Sequence, residues 1–142
     1  MTTDIYNDNE FTYLKWLMNK LQHIRNLHLD LTSEKVYRAD QSVWKSRLDA
    51  DFVRQHCLPD SFPNLIDFRF YIVSRCEHSH IDTAKILHSF RTHPCFIEHQ
   101  WHDVQCMYDH ENGSQHLLSS GRHTTRLRDP VTYVSDFPTA LN

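Results

Sequence analysis

Between residues 9 and 29, apolar side chains return every third or fourth position, at Phe11, Leu14, Leu17, Met18, Leu21, Ile24 and Leu27. Lys15, Lys20, Gln22 and Arg25 fall largely off that line. A helix turns once in about 3.6 residues, so the spacing predicts an amphipathic helix over 9–29 with a leucine-rich stripe toward a core. Asp8 or Asn9 can cap its start, where the first amide groups lack partners in the helix. A second helix is predicted from about Asp40 or Ser42 to His56, with Val43, Trp44, Leu48 and Phe52 inward, stopped by Leu58-Pro59. Ser61-Phe62-Pro63-Asn64 reads as a turn.

From Leu65 the period drops to two. Ile66, Phe68, Phe70 and Ile72 alternate with Asp67, Arg69, Tyr71 and Val73, which predicts a half-buried strand over 65–76. A crossover helix follows from about Ile81 to Thr92, with Ile81, Ala84, Ile86, Leu87 and Phe90 inward, ending before Pro94. Residues 95–110 satisfy two periods. Pro94 and Asn112-Gly113 would bracket a helix, with Ile97, Trp101, Val104 and Tyr108 on one stripe. Asn112-Gly113 is equally the centre of a two-residue hairpin, pairing Tyr108 with Leu117 and Cys106 with Ser119. The strand is preferred because 65–76 needs a sheet partner, and 115–135 carries enough β-branched and aromatic residues to extend the sheet. The expected fold is α+β: N-terminal helices packed on a small, mostly antiparallel sheet with one crossover helix. A single domain over 1–142 is expected, with a leader at 1–8, a helical part at 9–58 and a sheet-containing part at 64–135.

Composition narrows the chemistry. Glycine occurs only at Gly113 and Gly121, so neither a dinucleotide-binding glycine fingerprint nor a phosphate-cradling P-loop can be written. Seventeen aromatic residues (eight Phe, six Tyr, three Trp) supply a core in spite of an apolar content of 39%. Twelve histidines accompany a formal charge of −3, so the net charge depends strongly on mildly acidic pH. There is no general basic excess of the kind that marks nucleic-acid binding. The start of the chain, Met1 to Asn9, is polar and acidic, which is not the pattern of a signal peptide, and no run approaches the length of a membrane span. The four cysteines are accordingly expected to be thiols in a cytoplasmic or nuclear protein. A chain this short, glycine-poor and histidine-rich would also suit a viral or phage accessory protein.

Three constellations could carry function. Cys76, His78, Cys106 and His110 are the candidate ligands of a structural zinc, thiolate and imidazole being that metal's preferred donors, with His80, Cys95, His99 and His102 nearby. Cys-x3-His pairs can share a metal on a helix, where i and i+4 lie about 6 Å apart. On a strand the same positions are about 13 Å apart. Arg122, Arg126 and Arg128, within Ser119–Arg128, could bind nucleic acid or another anion, with Tyr71, Trp101 or Tyr108 available for base stacking. Cysteine–histidine neighbours, His56-Cys57 among them, would suit a small hydrolase. None of these completes a catalytic signature. The chain therefore reads as a non-enzymatic binding or regulatory domain that contacts a protein partner or itself, with nucleic-acid binding and hydrolysis as alternatives. No cofactor beyond the zinc is expected.

Overall fold

The computed structural model describes residues 2–4, 8–37, 48–76 and 82–119, with side chains over 10–32, 48–76 and 82–119. The first helix, α1 (Asp8–Lys20), buries Phe11, Leu14 and Met18 as the apolar stripe predicts. It ends well short of residue 29. From Asn26 the chain is a strand, β2 (Asn26–Tyr37), where helix was expected. Leu27, Leu29 and Leu31 are buried while His28 and Asp30 are exposed, an alternation of two that a helix cannot place on one face. Leu27 fits both periods, which is why the helical stripe reads on through it.

A three-residue strand, β1 (Thr2–Asp4), precedes α1 and pairs parallel with β2, Thr2 against Asp30. The second helix, α2, spans Ala50–His56. Its cap is Asp49, whose carboxylate accepts from the Phe52 amide at 3.0 Å. The expected caps Asp40 and Ser42 lie outside the described residues. The expected central strand is present as β3 (Asp67–Arg75), parallel to β2 with Phe68 opposite Leu27. Phe68, Phe70 and Ile72 point to the helices; Ile66 lies ahead of the strand and is exposed. The crossover helix α3 (Thr83–Thr92) is capped by Asp82 and buries Ile86 and Phe90.

Residues 95–110 divide between the two expected forms. Pro94–Glu98 is a short helix, α4, and Val104–Asp109 is a strand, β4. A second hairpin strand, β5 (Ser114–Ser119), lies between β3 and β4, antiparallel to both. The hairpin register differs from the sequence expectation by two residues: Tyr108 faces Gln115 and Cys106 faces Leu117. Buried Asp109 sets this. Its carboxylate accepts from the backbone amides of Glu111 (3.0 Å) and Asn112 (3.4 Å) and from the Asn112 side chain. Gly113, with φ +61°, closes the turn, so residues 110–113 form a four-residue loop that a two-residue turn would not leave.

The fold is α+β. Among the described residues, five strands form one mixed sheet in the order β1-β2-β3-β5-β4, with an N-terminal helix and α3 crossing from β3 to β4. The side of β1, β2 and β3 is parallel, and the side of β3, β5 and β4 is antiparallel. Side chains from α1, α2, α3 and α4 join one core with Leu29, Phe70, Ile72, Val104 and Leu117 of the sheet. Phe90 ties these layers together, stacking on Phe70 at 5.8 Å and meeting Phe96 edge-on at 4.9 Å.

Candidate interaction surface

With Phe11, Leu14 and Met18 turned into the core, positions 13, 16 and 20 fall on the opposite side of α1, since two residues advance a helix by about 200°. Tyr13 and Trp16 are accordingly 63% and 55% exposed. They form an ordered pair on that face, their rings stacked at 5.8 Å and 26°. The Lys20 ammonium sits 5.4 Å from the Trp16 ring centre. Contacts of this kind at an exposed site contribute about 0.5–1 kcal/mol, enough to orient the rings without removing them from water. These rings escaped the sequence reading, which followed the apolar stripe. The available signal was two aromatic residues on the polar side of a predicted amphipathic helix.

The neighbouring flank of α1 is occupied differently. Lys15 donates to the Leu58 carbonyl at 2.7 Å and pairs with Asp60 at 2.9 Å. Asn19 and Asp60 exchange hydrogen bonds through the Asp60 carboxylate and amide. Arg54 donates to the carbonyls of Pro59 and Asp60, both at 3.0 Å. The hydrogen bond and charge of Lys15 hold the exposed Asp60 carboxyl below its ordinary pKa. A groove of about 470 Å³ opens here beside Phe11 and His56. Its cations are engaged in fastening the loop after α2, and this fastening keeps α1 in place.

On the sheet face away from the helices, Tyr71, His116 and Ser114 form a polar chain. The Tyr71 hydroxyl is 2.8 Å from His116 Nδ1, and Ser114 Oγ is 3.1 Å from His116 Nε2. Burial pushes the His116 pKa down to about 4, with the Asp109 charge opposing it, so the imidazole is neutral at pH 7. The atoms resemble a serine–histidine pair poised for nucleophilic attack. Both residues, however, are 1% exposed, which leaves no place for a substrate carbonyl at Ser114.

The four cysteines are free thiols. Burial pushes Cys57 up to about 12, against the nearby charge of Lys15, and raises Cys95 as well, so neither is held as a thiolate. Cys95 on α4 and His99 at its C-terminal cap are one helical turn apart, their Sγ and Nδ1 atoms 4.0 Å apart. His99 Nδ1 is also 2.8 Å from the Cys95 carbonyl oxygen, which can only accept, so this nitrogen carries a proton and is no base toward the thiol.

Of the candidate zinc ligands, Cys76 is buried at the end of β3, and its carbonyl accepts from the Tyr108 hydroxyl at 2.9 Å. Cys106 accepts from the Gln115 side chain at 3.4 Å, and His110 is exposed with its ring against Tyr108 at 4.9 Å. His78 and His80 lie outside the described residues. Among the described residues, no group of three or more His, Cys, Asp or Glu side chains could hold a metal ion. Arg122, Arg126 and Arg128 also lie outside them. The rings expected to stack on bases are otherwise engaged: Trp101 is buried against His99 (4.3 Å) and Phe68 (5.4 Å), while Tyr71 and Tyr108 are half-buried and hydrogen-bonded through their hydroxyls.

No family model matches the chain, and no match is found among the curated proteins or the solved structures. Among the described residues, no helix is long and apolar enough to cross a membrane.

Proposed function

We propose that this chain is a non-enzymatic protein-binding domain that acts through the outer face of α1, presenting Tyr13, Trp16 and Lys20 to a partner protein. The observation that carries the reading is the exposed, mutually stacked Tyr13–Trp16 pair. Exposing two large rings on a helix held from its other side brings little to folding. Tyrosine and tryptophan are also the side chains that most often dominate protein interfaces. Trp16 carries Tyr13 against its ring and Lys20 over it, an apolar centre with a charged edge of the kind that protein interfaces use. The free thiols suit a reducing compartment such as the cytoplasm or nucleus.

Affinity capture from cell extract with the full chain and with a Tyr13→Ala/Trp16→Ala variant tests the reading. The variant should unfold within about 1 kcal/mol of the parent, as exposed substitutions do, and should lose the partner that the parent retains. Retention of the same partner by both proteins would contradict it.

A further inference from the structure

From Phe11 to Leu29 the chain contains Lys15, Lys20 and Arg25 and no Asp or Glu. That stretch carries a formal +3 in a chain whose total is −3, so the remainder carries −6. The basic stretch runs from the part of α1 after Asp8 and Glu10, through the turn that follows it, into the start of β2. Lys20 is exposed at the last residue of α1, and His23 and Arg25 are exposed in the turn. The turn is fixed: the Leu21 amide donates to the Met18 carbonyl at 2.9 Å, and the Arg25 carbonyl accepts from the Ile66 amide at 2.8 Å and the Asp67 amide at 3.1 Å.

Those last two hydrogen bonds join the turn to the segment ahead of β3, and a groove of about 500 Å³ lies between them. His23 and Arg25 form one wall of it, and Pro63, Leu65 and Ile66 contribute to the other. Ile66 is 63% exposed, an aliphatic side chain left in water beside two basic ones. Asp67, next to Ile66 in sequence, is engaged by Arg69 at 3.1 Å and His28 at 3.3 Å.

We propose that the partner docks on this surface through an acidic segment, its carboxylates over Lys20 and Arg25 and one apolar side chain against Ile66 in the groove. The proposal rests on the α1 reading above and names the chemistry of its partner. Charge complementarity selects the segment's sign, since a basic stretch attracts acidic sequences and repels basic ones. The exposed isoleucine calls for an apolar anchor among the acids. A groove held by backbone hydrogen bonds needs little ordering when that anchor arrives.

The test uses the full chain and three fluorescent probes: a short peptide rich in Asp and Glu carrying one Leu, its Asn/Gln counterpart, and a single-stranded oligonucleotide. The acidic peptide should bind at least about tenfold more tightly than the neutral one, and its affinity should fall with added salt, which screens exposed charges beyond about 10 Å at 0.1 M. Lys20→Glu/Arg25→Glu should weaken it by at least about tenfold, and Ile66→Ser should weaken it without changing the salt dependence. All three residues are exposed, so the fold is retained. Equal binding of the acidic and neutral peptides, no effect of the charge reversals, or tighter binding of the oligonucleotide through Lys20 and Arg25 would each overturn the proposal. A partner lost by Tyr13→Ala/Trp16→Ala yet retained by Lys20→Glu/Arg25→Glu would overturn the acidic segment while leaving the α1 reading in place.

Discussion

Among the described residues, two occupy the left-handed backbone region, and they make opposite predictions. Gln100, at φ +60°, follows α4. The Trp101 amide reaches back to the Phe96 carbonyl (2.8 Å) and the Gln100 amide to the Ile97 carbonyl (3.1 Å), a helix ending that ordinarily uses glycine. Gln100→Gly should raise stability by up to about 1 kcal/mol in urea unfolding. Gly113, at φ +61°, is already glycine, and a Cβ there would meet only the Tyr108 hydroxyl at an ordinary 3.7 Å. Gly113→Ala should therefore cost about 1–2 kcal/mol through the backbone alone. His116 predicts a pH dependence. Its folded pKa of about 4 lies below the ordinary 6.5, so the fold favours the neutral ring. That contribution is full above about pH 6.5 and is lost as pH falls from there toward 4, on the order of 3 kcal/mol in all and about 2 kcal/mol of it by pH 5. His116→Gln should flatten the difference in unfolding free energy between pH 7.5 and 5; an unchanged difference would refute the assignment.

Among the elements, β2 is the one the residue pattern conceals. Leu27 satisfies a helical stripe and a strand alternation alike, and only Leu29 and Leu31, buried with His28 and Asp30 exposed, settle the period. Leu29→Ala should cost about 2–5 kcal/mol. His28→Ala should cost under about 1 kcal/mol, because its side chain is about half exposed where it meets Asp67. A helix continuing to residue 29 would make position 28 sensitive as well. The central strand β3, the helix α3 and the β4–β5 hairpin were legible because each has an undivided period or a turn residue that marks it. The hairpin register was not legible: it depends on the Asp109 carboxylate holding Glu111 and Asn112, a contact that appears only once the turn has formed. The candidate surface was hidden for a related reason. The apolar stripe of α1 could be read directly, but whether Tyr13 and Trp16 lie in water depends on which side of the helix the sheet takes.

For the whole molecule, one layer of helices lies on one sheet face, and α1 is fastened by the Lys15–Asp60 and Asn19–Asp60 contacts while its far side carries the stacked rings. The basic stretch over residues 11–29 opposes the sign of the rest of the chain. Association through this face should therefore weaken with salt, whereas the fold, resting on a buried apolar core, should not. The most direct measurement places a photo-cross-linking phenylalanine derivative at position 16 and, in a separate protein, at the exposed Gln105 on the sheet face away from α1. Irradiation in cells should yield a discrete protein adduct from position 16 and none from position 105. Equal labelling from both positions, or none from position 16, would contradict the account.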